Sequence, residues 1–123
     1  MRALVIDDSR TIRVILCKWL KDTGIDVLEA GNGKQGLEQM KLHPGIELIL
    51  VDWNMPEMNG LDFIKAVRAQ KQFDRVRILM VTSETETEQV TKALKAGANE
   101  YLMKPFSREI LIAKLDLLSI YEE

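Results

Sequence analysis

The sequence predicts a doubly wound α/β domain, (βα)5, built on a five-stranded parallel sheet, and two observations carry that prediction. Short runs rich in Val, Ile and Leu alternate with longer stretches of helical periodicity, and four of the five runs close on polar residues able to do chemistry. Strict alternation of strand and helix requires right-handed crossovers, which place helices on both faces of a parallel sheet.

Residues 3–6 form the first apolar run, continuous as a strand buried on both faces is. Ile12, Ile15, Leu16, Trp19 and Leu20 then fall at i, i+3, i+4, i+7 and i+8, one stripe of a first helix facing the sheet. That stripe leaves Arg10, Arg13, Val14 and Cys17 on the outer side of the helix. The turn Asp22-Thr23-Gly24 introduces a weaker strand over 25–29, and a helix follows over 33–42. The third strand covers 46–51, the third helix 61–69 and the fourth strand 76–81. A fourth helix over 85–96 is stopped by Gly97, and a short fifth strand occupies 100–103. The last helix, 107–121, opens on Ser107 as its N-cap. On it Leu111, Leu115 and Leu118 make one core-type stripe, while Ile110, Leu117 and Tyr121 make a second. Two apolar stripes exceed what the sheet can cover, so the second is a candidate contact surface for a target or another copy.

With 123 residues the chain fits one domain, residues 1–123, and 46% hydrophobic with 29% charged residues is an ordinary globular composition. Seventeen basic against nineteen acidic residues give a net charge of −2, so bulk electrostatics favour neither nucleic acid nor an anionic membrane. A single cysteine, Cys17, excludes an internal disulfide and a multi-thiolate zinc site. No run approaches the ~18 apolar residues of a membrane span and no signal-peptide core precedes Asp7-Asp8, so a soluble, cytoplasmic protein is expected.

In doubly wound sheets ligands sit at the carboxyl ends of the strands, where strand order reverses. The first strand delivers Asp7-Asp8 there, the third Asp52, the fourth Thr82-Ser83 and the fifth Lys104-Pro105. Any one Asp after a strand is commonly a turn former. Three carboxylates brought together repel one another unless a cation joins them. All-oxygen ligands without His or a reactive thiol favour Mg²⁺, or Mn²⁺, over zinc or copper. A metal, the Lys104 ammonium and the Thr82 hydroxyl around a carboxylate make a pocket for a phosphoryl group, with the carboxylate as nucleophile.

Asp7-Asp8, Asp52 within Val51-Asp52-Trp53-Asn54-Met55-Pro56, Gly60, Thr82-Ser83, Tyr101 and Lys104-Pro105-Phe106 together resemble the signature of response-regulator receiver domains, over almost the whole chain. The resemblance implies the flavodoxin-like strand order 2-1-3-4-5 and a cis Lys104-Pro105 bond. It implies that Asp52 is the phosphoacceptor, taking its phosphoryl group from a sensor histidine kinase, a phosphotransfer protein or a small donor such as acetyl phosphate. Asp8, Asp52 and the backbone carbonyl of Asn54 would hold Mg²⁺, with Asp7 acting through a metal-bound water. Lys104 would pair with the phosphoryl oxygens, Thr82 would move to hydrogen-bond them, and Tyr101 would rotate into the space vacated. The same site would hydrolyse its own acyl phosphate, without being an enzyme toward a separate substrate. Asn54 and Glu84, two places after the phosphoacceptor and the switch Thr, resemble the fast-decaying chemotaxis members and imply a short-lived phosphoryl state. Arg10, Arg13, Val14 and Cys17 would dock the kinase. Ile110, Leu117 and Tyr121 would carry output to a protein target as monomer or as a phosphorylation-dependent dimer.

Other readings are weaker. Gly31-Asn32-Gly33-Lys34-Gln35-Gly36 matches G-x-G-x-x-G, but a dinucleotide fold needs that turn after its first buried strand, not after a short, partly polar second one. A magnesium-dependent phosphatase of the haloacid-dehalogenase type wants an acid two residues after its nucleophile, where this chain has Asn54. A flavodoxin-type electron carrier wants a hydroxyl-rich phosphate loop where this chain has Asp7-Asp8-Ser9. A receiver portion of a longer DNA-binding or enzymatic regulator is the remaining alternative. His43 is read as a solvated loop residue, and Met40, Met80 and Met103 as core fillers.

Overall fold

The computed structural model describes residues 1–83 and 87–118. Its elements are β1 (Arg2–Ile6), α1 (Arg10–Asp22), β2 (Asp26–Ala30), α2 (Gly33–Leu42), β3 (Ile46–Asp52), α3 (Gly60–Arg68), a 3-10 turn (Lys71–Phe73), β4 (Arg77–Ser83), α4 (Thr87–Ala96), β5 (Glu100–Lys104) and α5 (Arg108–Leu117). The sheet runs β2-β1-β3-β4-β5, every neighbouring pair parallel, as expected.

Side chains alternate across the sheet because successive Cβ atoms of a strand point to opposite faces. Leu4 and Ile6 of β1, Ile49 and Val51 of β3 and Ile78 and Met80 of β4 join Met40 of α2, Phe63, Ile64 and Val67 of α3 and Ala93 of α4. Ala3, Val5, Leu48, Leu50, Leu79, Val81 and Leu102 join Leu16 and Leu20 of α1 and Leu111 and Leu115 of α5 on the other face. Two cores therefore sandwich the sheet, and its carboxyl edge is left for polar groups.

Helix starts are fixed by side-chain caps that satisfy otherwise orphaned amides. Ser9 accepts from Ile12 N, Asn32 from Gln35 N, Asn59 from Asp62 N and, as predicted, Ser107 from Ile110 N. Gly97, with φ +122, ends α4 where a side chain would be strained. Arg68 of α3 donates to the carbonyls of Gly97, Phe73 and Val76 and to Asn99 Oδ1, tying α3 to the segments on either side of β4. The G-x-G-x-x-G stretch serves packing: a Cβ at Gly36 would lie 2.5 Å from Ile6 Cδ1 and 2.9 Å from Phe63 Cε1.

Several expectations shift. The second strand sits one residue later than predicted, with Asp26 paired to Arg2. The 3-10 turn, too short to show a period, was not expected. Met40 and Met80 are buried as predicted, whereas Met103 is half-buried. His43 Nδ1 lies 3.4 Å from the Arg2 guanidinium in a partly exposed loop. Cys17 does not lie on the outer side of α1; it is 5% exposed and belongs to the core with Leu16 and Leu20. The physical reason is that α1 packs over the edge strand β2, which covers the Cys17 side of the helix and leaves Ile12, Ile15 and Trp19 only half-buried. Burial also pushes the thiol up to about 11, so it cannot present a reactive thiolate at neutral pH. The second stripe of α5 is exposed, Ile110 by 47% and Leu117 by 67%, while Tyr121 lies outside the described residues. Among the described residues no helix is long and apolar enough to cross a membrane.

Candidate functional site

The site forms where β1 and β3 end side by side, because the chain leaves β1 toward β2 on one side and β3 lies on the other. Asp7 follows β1, Asp52 is the last residue of β3, and Asp8 stands at the rim. One carboxylate oxygen from each of Asp7, Asp8 and Asp52 lies within 4.8 Å of the others. Asp7 and Asp52 are buried and Asp8 is exposed. Lys104, the last residue of β5, reaches across with its ammonium 3.3 Å from Asp52 Oδ1 and 3.6 Å from Asp7 Oδ2. The Lys104-Pro105 bond that follows is cis.

Burial, then the neighbouring Asp7, pushes the Asp52 carboxyl up to about 6, and Lys104 opposes the rise. Asp7 is raised as well, chiefly by burial, although Ser9 N donates to its Oδ1 at 2.8 Å. Its other oxygen, Asp7 Oδ2, is buried with no hydrogen-bond partner. With only the Lys104 ammonium, 3.6 Å away, to offset its charge, a buried carboxylate oxygen that accepts no hydrogen bond is costly, so it marks a place built for a further partner. Three carboxylates facing one ammonium also leave an excess of two negative charges, which a divalent cation would balance. Hard oxygen donors and an open rim suit Mg²⁺, which keeps several of its waters. The site therefore fits the metal that the sequence called for.

The backbone around Asp52 is tightly held. Trp53 N donates to Val81 O at 3.0 Å and Gly60 N to Trp53 O at 2.9 Å, so the start of α3 lies directly on the end of β3. Gly60 is required there: a Cβ would come 2.6 Å from Asp52 O and 2.9 Å from Trp53 Cα. Thr82 is buried near the end of β4, and its hydroxyl donates to Gln89 Oε1 of α4 at 2.9 Å. Beside Lys104 an apolar groove of about 490 Å³ is lined by Ile12, Ile15, Trp19, Pro105, Phe106 and Ser83. Trp19 and Phe106 meet edge to face in its wall, ring centroids 5.9 Å apart.

The family model for the response regulator receiver domain matches residues 3–116. The chain belongs to the response regulator receiver family. This receiver is 44% identical to the chemotaxis protein CheY1 of Helicobacter pylori over 119 residues, 96% of each chain. It is also 44% identical to a chemotaxis protein CheY homolog of Campylobacter jejuni, covering 94% of this chain and 90% of that one. Among solved structures, the chemotaxis protein CheY4 of Vibrio cholerae superposes with a TM-score of 0.88 at 37% identity, over 94% and 96% of the two chains. A putative two-component response regulator/GGDEF domain protein gives 0.93 at 31% identity, with this receiver covering 51% of that chain.

The receiver fold brings Asp7, Asp8, Asp52 and Lys104 together, with Thr82 nearby on the adjacent strand end. Asn54 is exposed on the loop after β3; Glu84 falls outside the described residues. Tyr101 is half-buried on β5. Of the predicted docking residues on α1, Arg10 and Val14 are exposed, Val14 by 55%, whereas Cys17 is buried and removed from that face. Arg13 is already engaged, donating to Glu29 Oε1 at 3.2 Å and to the carbonyl of Asp7. Sequence reasoning missed Gln89 and Lys114, which hold the side chains of Thr82 and Tyr101. No spacing rule reaches them, because both contacts depend on how a helix docks after its loop.

Proposed function

We propose that this receiver is a phosphorylation switch in which Asp52 accepts a phosphoryl group from a phosphohistidine of a sensor histidine kinase or phosphotransfer protein, and which signals through a protein contact. The observation that carries the reading is the buried Asp52 carboxylate, 3.3 Å from Lys104 and clustered with Asp7 and Asp8. At neutral pH a carboxyl near 6 is mostly ionised and available as a nucleophile. An Asp52 oxygen forms the bond to phosphorus while the bond to the donor imidazole nitrogen breaks and its electron pair leaves with that nitrogen. Lys104 stabilises the negative charge on the phosphoryl oxygens, and the Thr82 hydroxyl can donate to one of them. Mg²⁺, which Asp8, Asp52 and the carbonyl of Asn54 would hold with Asp7 acting through a metal-bound water, would supply further neutralisation of that charge. Hydrolysis of the acyl phosphate at the same site returns the switch to rest, so no separate substrate is turned over.

Incubation with acetyl phosphate and Mg²⁺ is expected to place one phosphoryl group on the peptide containing Asp52, read by mass spectrometry; label elsewhere would move the acceptor. Trp53 adjoins Asp52 and is nearly buried, so in a Trp19→Phe background Mg²⁺ should change tryptophan emission. No change up to tens of millimolar Mg²⁺ would remove the metal from the account.

Two faces follow from the exposed apolar residues. Arg10 and Val14 of α1, beside the active site, would dock the donor; Ile110 and Leu117 of α5, with Tyr101, would present the output. Val14→Glu is expected to slow transfer from the kinase with acetyl phosphate labelling intact. Leu117→Glu should leave both unchanged and weaken phosphorylation-dependent binding or dimerisation. The reverse pattern would exchange the two assignments.

A further inference from the structure

Both residues expected to move on phosphorylation are engaged elsewhere in the resting fold. The Thr82 hydroxyl donates to Gln89 Oε1 at 2.9 Å, a contact from the end of β4 to the third residue of α4. Tyr101 of β5 lies under the Lys114 ammonium of α5, which stands 3.9 Å from the ring centroid. That ammonium is anchored by Glu100 Oε1 at 3.1 Å, and the same carboxylate oxygen accepts from Tyr101 N at 3.1 Å. Ring face, cation and anion thus form one half-buried cluster between β5 and α5.

A hydroxyl carries a single proton. Thr82 therefore cannot donate to Gln89 and to a phosphoryl oxygen at the same time, and the two arrangements exclude each other. Tyr101, likewise, cannot rotate away from its present position and keep its face against Lys114. We propose that Gln89 and Lys114 are positioning residues that hold Thr82 and Tyr101 in the resting arrangement, so that phosphoryl transfer to Asp52 must release the Thr82 hydroxyl from α4 and the Tyr101 ring from Lys114 of α5. This deepens the assignment of Asp52 as phosphoacceptor and rests on it. Neither tether residue has a contact with the acidic cluster, and neither is among the motif residues that carry the resemblance to the family. Linkage makes the coupling reciprocal: a partner that favours α4 released from Thr82 strengthens the binding of a phosphoryl mimic by the factor that the bound mimic strengthens the partner's binding.

Beryllofluoride, a phosphoryl mimic, tests this in the full chain with Mg²⁺ present, its apparent affinity followed by Trp53 emission. Gln89→Met keeps the side-chain length and removes the acceptor; Lys114→Met keeps the stem and removes the charge. Each is expected to bind beryllofluoride about two- to tenfold more tightly, the ratio a lost neutral hydrogen bond or half-buried cation–π contact implies. Gln89→Glu, which retains an acceptor, should bind no more tightly than the parent. Affinity for Mg²⁺ alone should stay unchanged in all three, and amide exchange in the first turn of α4 should quicken in Gln89→Met without any mimic. Parent-like beryllofluoride affinity in both Met variants, with Mg²⁺ affinity intact, overturns the tethers and leaves Asp52 as acceptor. Failure of the unaltered protein to bind beryllofluoride overturns the Asp52 assignment and the tethers together.

Discussion

Asp52→Asn is expected to abolish labelling by acetyl phosphate and, without Mg²⁺ at pH 7, to make the fold more stable than the parent. Loss of label follows because an amide is not the nucleophile that a carboxylate is. The gain in stability follows from burial: the folded carboxyl sits near 6 against an ordinary 3.8, so the folded state binds the proton more tightly than the unfolded chain does. A raised acid favours folding at low pH, and stability should decline as pH rises from about 3.8 to about 6 and then level off. At neutral pH the accumulated cost is on the order of 3 kcal/mol at ~1.4 kcal/mol per unit, of which an uncharged amide recovers about 1–3 kcal/mol. Urea melts of both proteins at pH 4.5 and pH 7 separate the effects, since the advantage of Asp52→Asn should be present at pH 7 and shrink at pH 4.5. Saturating Mg²⁺ should narrow or reverse the order, because only the parent keeps the full ligand set; a ligand at about 100 times its Kd stabilises by ~2.7 kcal/mol. Undiminished labelling, or equal stability of the two proteins at pH 7 without metal, would contradict the electrostatic account of the site.

Asp52 was legible in the sequence because chemistry at a strand end leaves a local mark: an apolar run that stops on a carboxylate. The same reasoning placed Asp7, Asp8, Thr82 and Lys104 on one sheet edge, since parallel topology gathers strand ends that are far apart in the chain. What the sequence could not convey was docking angle. The period of α1 is satisfied by a stripe centred on Ile15 and Leu16, yet the helix rolls toward β2 and buries Cys17, taking it out of the docking face. A periodic pattern defines a stripe about 100° wide but not which edge of it the neighbouring strand will cover. Gln89 and Lys114 were invisible for a related reason, because their partners are set by tertiary placement of α4 and α5. Gly60 lies between these cases: the motif flagged it, and the structure supplies the cause.

Gly60→Ala is expected to lower the rate of acetyl phosphate labelling about tenfold to a hundredfold and to cost about 1–3 kcal/mol of stability. The added methyl would lie 2.6 Å from Asp52 O and 2.9 Å from Trp53 Cα, both backbone atoms with no rotamer to yield. Either the start of α3 lifts away, breaking the bond from Gly60 N to Trp53 O, or the end of β3 retreats and takes the Asp52 carboxylate with it. Lifting is resisted by Phe63, Ile64 and Val67, all fully buried beneath α3, and retreat is resisted by the bond from Trp53 N to Val81 O. The strain is therefore shared, and a carboxylate displaced by a fraction of an ångström loses its alignment with Lys104 and with the metal ligands. Because positioning dominates phosphoryl transfer, such a shift weighs on rate as well as on stability. Mg²⁺ affinity measured by Trp53 emission should fall along with the labelling rate, whereas Gly45→Ala, which meets nothing within 4 Å, should alter neither. Parent-like labelling by Gly60→Ala would show that β3 and α3 can separate without moving Asp52, and the close approach at Gly60 would then be a matter of packing alone.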